Sequence, residues 1–210
     1  MGITGLIGVG FVIAHLAGNL QVFIGPDKIN SYGAALHGPL AEVTWLVRAV
    51  LIVAVMLHVL MAYQLTRGSA AARPIGYNKR EPQVATLASR TMTWGGALLL
   101  VFIIVHILHF TTESIDPAGW RGMTDAHGHR DVYGNIIASF RIWWVAVFYV
   151  VSMLALGLHL YHGAWSSVRT LGYAKSSTHP RRRRIALAVA TIVWLGFTLI
   201  PLSVIAGILR

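Results

Sequence analysis

Five long runs of apolar residues divide the chain, and glycine, proline or charged residues bound each run. A helix needs about 20 predominantly apolar residues to cross the roughly 30 Å of hydrocarbon in a bilayer. All five runs are long enough, so the pattern predicts an all-α membrane protein with five transmembrane helices. We expect these helices over residues 3–24, 43–65, 92–112, 142–166 and 185–209.

The first apolar run lacks the basic segment and the small-residue cleavage site of a signal peptide. It closes instead at Gly25, Pro26 and Asp27. It is therefore predicted to be retained as the first helix. A length of 210 residues leaves room for one unit, a single membrane domain over residues 1–210.

Composition supports this interpretation and limits the chemistry. Hydrophobic residues make up 56% of the chain and charged residues 11%, against about 25% charged residues in soluble domains. The absence of cysteine excludes a protein-ligated iron–sulfur cluster, a thioether-linked haem and a disulfide. Although the net charge is +10, the basic residues cluster in two loops, which indicates membrane topology and no nucleic-acid partner.

Those two basic loops connect the second helix to the third and the fourth helix to the fifth. The opposite loops hold six of the seven acidic residues. The positive-inside rule therefore predicts the N-terminus inside and the C-terminus outside. The run from Arg181 to Arg184 is interpreted as an anchor to lipid headgroups.

Histidine is the polar residue that recurs inside the predicted helices. An ionisable residue in hydrocarbon is costly without a partner and marks a functional site by default. One such histidine could simply hydrogen-bond to a neighbouring helix, but four helices each carry at least one. The histidines in the spans are His15, His58, His106, His109, His159 and His162.

Helix direction sorts four of these histidines into two pairs. His15 and His106 lie about 14 and 9 Å from the outer ends of their helices, whereas His58 and His159 both lie about 10 Å from the inner ends. Each pair can face across a bundle of the first four helices. Two facing imidazoles suit a six-coordinate haem. Zinc usually takes four ligands, and a proton relay would normally include carboxylates inside the spans.

Small and basic residues near the histidines fit a flat, acidic cofactor. Glycines beside a ligand would let a macrocycle approach the backbone, although glycines also promote helix packing in membranes. They are Gly8, Gly95, Gly96 and Gly163, and Asn19 shares a face with His15. Arginines at helix ends can pair with haem propionates or simply extend to the interface. They are Arg48 and Arg141 on the outer side and Arg90 and Arg169 on the inner side.

Together these residues resemble the cytochrome b membrane-anchor subunit of succinate:quinone oxidoreductases, of the five-helix, di-haem type shared with some fumarate reductases. The resemblance covers every helix except the fifth. It is most specific where His159 is followed after four residues by glycine and later by Arg-Thr-Leu-Gly. The matching segments are 4–11 with His15, Gly18 and Asn19; 30–32 with Leu36 and His37; Arg48 with His58; 102–111; and 159–166 with 169–172.

The resemblance implies two haem b groups, an outer one held by His15 and His106 and an inner one held by His58 and His159. It implies a multi-pass subunit of the cytoplasmic membrane that passes electrons to a quinone, usually menaquinone. Its implied partners on the cytoplasmic side are a flavoprotein that oxidises succinate and an iron–sulfur protein. The chain itself would not act on succinate.

Two features stay open at this point. His109 and His162 each lie three residues after a chosen ligand and so share a similar helix face. The quinone site has several polar candidates in the first outer connection: Asn30, Tyr32, His37 and Glu42. The alternative functions are a di-haem anchor of a nitrate reductase, formate dehydrogenase or hydrogenase, and a transporter without haem.

Overall fold

The computed structural model describes residues 1–72, 87–172 and 179–210, and within these ranges the chain forms helices and no strand. Parts of both basic loops, residues 73–86 and 173–178, lie outside the described residues. Five helices are long and apolar enough to cross a membrane, which confirms the predicted spans. They are Gly2–Phe23, Ala41–Ala71, Met92–Thr111, Trp143–Thr170 and Pro180–Ile205.

The helices follow one another with short connections. In chain order they are α1 (Gly2–Asn19), α2 (Pro26–His37), α3 (Ala41–Ala71), α4 (Leu87–Arg90), α5 (Met92–His106), α6 (Val132–Arg141), α7 (Trp143–Thr170) and α8 (His179–Ile205). A 3₁₀ turn, Leu20–Phe23, extends α1, and a π-helical turn, Ile107–Thr111, extends α5. We call the end of the bundle that carries α2 and α6 the outer end, following the predicted orientation, and the opposite end the inner end.

The helices α2 and α6 correct the sequence analysis, which treated both segments as loops. Pro26 begins α2 directly after Gly25, a position where proline's missing N–H costs nothing. Asp131 caps α6 by accepting a hydrogen bond from the backbone N–H of Gly134 at 2.9 Å. Asn30, only 1% exposed, joins the two helices by donating to Asp131 and accepting from the N–H of Tyr133. The outer end is therefore formed by two helices that are hydrogen-bonded to each other.

The fifth span, α8, packs along α7 and also contacts α1. Small residues allow these close approaches: a Cβ added to Gly157 would lie 3.1 Å from Trp194. A Cβ added to Gly196 would lie 2.8 Å from Leu16. The sequence assigned α8 no role beyond packing, and these contacts make it the main support of α7.

By contrast, α3 stands at the side of the bundle. It packs mainly against α1 and α2, and only 6% of its most apolar window is buried within the protein. Most of the α3 surface therefore lies on the outside of the bundle, where it would contact lipid or a partner protein.

Candidate functional site

The outer pair of histidines lies between α1 and α5. The ring centroids of His15 and His106 are 5.8 Å apart, with their planes at 79°. Aromatic rings enclose the pair: Phe11 stacks on His15, Phe102 stacks on His106, and Phe197 of α8 lies 5.7 Å from His15. The two rings predicted to share a depth are thus neighbours in the fold.

The inner pair lies between α3 and α7. The ring centroids of His58 and His159 are 6.1 Å apart, with their planes at 56°. The Cε1 atom of His58 also lies 3.6 Å from the position of a Cβ on Gly5. The inner pair is therefore level with Gly5 on α1, ten residues before His15, so the two pairs are separated by about 15 Å along the helix axis.

Both ring separations fit a metal ion held from opposite sides. Metal–imidazole bonds are about 2 Å long, so two such rings on one ion have centroids about 6 Å apart. Among the described residues, no group of three or more His, Cys, Asp or Glu side chains converges on a metal position. Two axial imidazoles are the protein's share of a bis-histidine haem, so the residues present fit that group.

The helices that carry each pair leave room between them. Within the described residues, α1 makes almost no close contact with α5, and the same holds for α3 and α7. A Cβ added to Gly8, Gly95 or Gly163 would meet no described protein atom within 4 Å. Helix packing therefore does not require glycine at these three positions, and the macrocycle interpretation stays a prediction.

Hydrogen bonds orient the rings to different degrees. The Thr4 hydroxyl donates to the carbonyl of Met1 at 3.0 Å, so at 3.1 Å it accepts from Nδ1–H of His58. That arrangement leaves Nε2 of His58 for a metal. The Asn19 amide donates to the carbonyl of His15 and lies 3.3 Å from both of its ring nitrogens. Nδ1 of His159 is buried and has no hydrogen-bond partner among the described residues.

The alternates His109 and His162 are placed differently from the paired histidines. His109 is 3% exposed, and its two ring nitrogens bond to the Tyr149 and Ser139 hydroxyls, both at 3.0 Å. A metal would have to displace one of these bonds. The His162 ring makes an edge-to-face contact with Trp165, and the guanidinium of Arg183 lies over the Trp165 ring. The geometry therefore places His106 and His159, and not His109 and His162, beside a second histidine, and ligand binding stays a prediction.

The arginines proposed to meet propionates lie at helix ends, as expected from the sequence. Arg48 is half-buried and its guanidinium stacks on the Trp45 ring at 4.9 Å. Arg90, Arg141 and Arg169 are exposed. Propionate pairing stays a prediction for all four.

The four quinone candidates have separate surroundings. Asn30 is committed to joining α2 and α6, and Tyr32 packs so closely on Gly18 that a Cβ there would lie 2.8 Å from its hydroxyl. His37 bonds to the carbonyl of Gly33 in its own helix, and Glu42 is exposed in the first turn of α3. Of the four candidates, His37 and Glu42 are exposed, Tyr32 is partly buried and Asn30 is buried.

One feature beside the inner pair was missed by the sequence analysis. A groove of about 290 Å³ opens between α5 and α7. Its lining is largely apolar and comprises Thr91, Met92, Trp94, Gly95, Leu98, Val151, Leu154, Ala155, Leu158 and His159. No spacing in the sequence signals this groove, because it depends on the crossing of two helices.

The outer connection before α6 is held by carboxylates. Glu113 adopts a positive φ of 52° and accepts from Arg130 at 2.7 Å. Arg130 also donates to the carbonyls of Phe110 and Thr111, which closes the π-helical turn. Partial burial opposes ionisation of Asp116, but backbone N–H groups, including those of Trp120 and Arg121, hold its pKa below the usual range.

No protein-family model, curated protein or solved structure matches the chain.

Proposed function

We propose that this chain is a di-haem cytochrome b that anchors a respiratory dehydrogenase to the cytoplasmic membrane and passes electrons to a quinone. The observation that supports the proposal best is the presence of two histidine pairs, with ring centroids 5.8 and 6.1 Å apart, at two depths of one bundle. Each pair joins helices that otherwise barely touch.

In this proposal His15 and His106 hold the outer iron, and His58 and His159 hold the inner one. Bound haem would supply one-electron transfer at a potential set by its axial ligands and surroundings. The chain's own residues orient the imidazoles, through Thr4 for His58 and Tyr149 for His106. The aromatic rings of Phe11, Phe102 and Phe197 give the outer pair largely apolar surroundings.

The sequence resemblance supports succinate as the electron source. A flavoprotein and an iron–sulfur protein would dock at the inner end, where the inner pair is the nearer acceptor. The quinone, most simply menaquinone, would react near an aqueous edge so that it can exchange protons. His37 and Glu42 are the accessible polar candidates at the outer end.

The test begins with the purified chain. A reduced-minus-oxidised spectrum is expected to show a b-type haem band, and pyridine haemochrome analysis should count two haems per chain. A chain that carries no haem after expression with haem supplementation would overturn the proposal.

Co-purification from the native membrane then identifies the donor. We expect a flavoprotein and an iron–sulfur protein, with haem reduced on addition of succinate. A molybdenum or nickel enzyme in their place, with haem reduced by formate or hydrogen, would retain the di-haem part and reject succinate.

A further inference from the structure

A continuous chain of hydrogen bonds runs from the outer surface to the outer histidine pair. It starts at the ion pair of Glu113 with Arg130 and passes through side chains of α6, α5 and α7. The links are Asn135 to Glu113 at 3.2 Å, Ser139 to Asn135 at 2.9 Å, His109 to Ser139 at 3.0 Å, Tyr149 to His109 at 3.0 Å and His106 to Tyr149 at 3.4 Å.

The outer end of this chain fixes the direction of its first bonds. Glu113 forms an ion pair with Arg130, and a carboxylate in an ion pair only accepts hydrogen bonds. Asn135 must therefore present its NH₂ group to Glu113 and its carbonyl oxygen to Ser139. The single hydroxyl proton of Ser139 is then committed to Asn135.

The remaining roles follow by counting protons. Because the Ser139 oxygen can only accept from His109, Nε2 of His109 carries the proton. A charged imidazole would be costly at a site 3% exposed, so Nδ1 of His109 is bare and accepts from the Tyr149 hydroxyl. The Tyr149 oxygen is left to accept from Nδ1–H of His106.

We infer that this chain of hydrogen bonds holds His106 as its Nδ1–H tautomer. Its positioning residues are Glu113, Asn135, Ser139, His109 and Tyr149. Nε2 of His106 then keeps the lone pair that binds iron. The inference rests on the proposed function, because the tautomer matters only if His106 is a ligand. It also gives buried His109 a definite role as the central acceptor and donor of the chain.

The chain of hydrogen bonds would also change how strongly His106 binds iron. An imidazole that donates from its second nitrogen is more basic toward the metal. More basic ligation favours the ferric state, so the Tyr149 oxygen lowers the potential of the outer haem. The inner pair has no comparable chain among the described residues, since Nδ1 of His159 lacks a partner there.

Two variants cut the chain without adding bulk, and both are measured in the full-length haem-loaded protein. Tyr149→Phe removes the acceptor of His106, and Ser139→Ala removes the acceptor that sets the His109 tautomer. Ser152→Ala is the matched control, because Ser152 is equally buried but bonds only within α7, to Phe148. The outer haem is identified as the component lost in His106→Ala.

We expect Tyr149→Phe to keep both haems and to raise the outer potential. The reduced-to-oxidised ratio at a fixed ambient potential should rise at least threefold, about 28 mV for one electron. Ser139→Ala should shift the same component by a smaller amount, while Ser152→Ala and the inner component stay unchanged. Histidine ¹⁵N magnetic resonance, with or without cofactor, should show His109 protonated at Nε2.

Equal outer potentials in Tyr149→Phe, Ser139→Ala and Ser152→Ala would overturn the inference while leaving a di-haem protein. Protonation of His109 at Nδ1 would overturn it as well. Failure of the unaltered chain to bind haem would overturn the inference and the proposed function together.

Discussion

The outer and inner histidine pairs have similar ring separations but very different support. His106 is linked through Tyr149 and His109 to the ion pair at the surface. Among the described residues, His58 has one hydrogen-bond partner, Thr4 of α1. Aromatic rings surround the outer pair, while a groove opens beside the inner one. The same kind of histidine pair thus lies among packed side chains at one depth and beside an open groove at the other.

Under the proposed function, this difference would give the two haems different surroundings. The inner pair lies toward the end where a partner protein would dock, and a partner can complete its surroundings. The outer pair is completed within this chain, by Tyr149 of α7, which contacts His106, and by Phe197 of α8, which lies beside His15. Such contacts would define the geometry of the two histidines without a partner protein.

The largest expected effect separates ligands from their neighbours. His106→Ala should lose one haem of two, whereas His109→Gln should retain both, because only His106 faces His15. At the inner site, His159→Ala should lose one haem and His162→Gln none. Haem counted by pyridine haemochrome checks both comparisons.

Loss of haem in His109→Gln but not in His106→Ala would reverse the outer assignment. The same reversal at His162 and His159 would show that the inner ring contact does not mark the ligand.

A glycine comparison tests the space beside the bundle. Gly8→Leu should lower haem content several-fold under the proposed function, since Gly8 shares the face of His15 and no atom of the described residues lies within 4 Å of a Cβ built there. Gly10→Leu is the matched control, because Gly10 is also free of neighbours but is exposed on another face of α1. Equal haem content in the two variants would assign Gly8 to lipid contact.

We expect the free energy of unfolding to fall when the link between α2 and α6 at the outer end is removed. Asn30→Ala removes two hydrogen bonds made by a buried side chain to the partly buried Asp131 and Tyr133, which should cost about 1–3 kcal/mol. His37→Ala, an exposed position on the same helix, should change little. Thermal unfolding in detergent, followed by tryptophan fluorescence, measures both, and similar midpoints would show that α2 and α6 are not joined through Asn30.

The smallest expected effect concerns the inner pair. Thr4→Val keeps the side-chain shape but removes the acceptor of His58. The potential of the inner haem should therefore rise, and its reduced-to-oxidised ratio at a fixed ambient potential should increase about twofold. The outer component should not move. A redox titration resolves the two components, and a shift in the outer one instead would mean that the pairs are not separate sites.

The spans and the histidine pairs could be predicted from sequence because hydropathy and depth are one-dimensional properties. Length, loop charge and 1.5 Å per residue were enough to place His15 beside His106 and His58 beside His159. Ligand binding, by contrast, stays a prediction.

Features that depend on three-dimensional crossing were missed. The link from His109 to Ser139 joins residues in a span and in an apparent loop, so no periodicity connects them. The helix α6 could have been recognised from Asp131 as a cap followed by Ile136, Ile137 and Phe140 on one side. The helix α2 had a clearer signal in Gly25 followed by Pro26, which was read only as the end of the first span.

The long separation of the paired histidines along the chain has a consequence for biosynthesis. His106 follows His15 by 91 residues, and His159 follows His58 by 101, so at 5–20 residues per second a ribosome needs roughly 5–20 s to supply each second ring. Because, within the described residues, α1 and α5 each pack against α7 and barely against each other, we expect both pairs to be completed in the same late stage of translation. Under the proposed function, haem would therefore be bound only after the fourth span, and a chain truncated before α7 should insert into the membrane yet bind no haem.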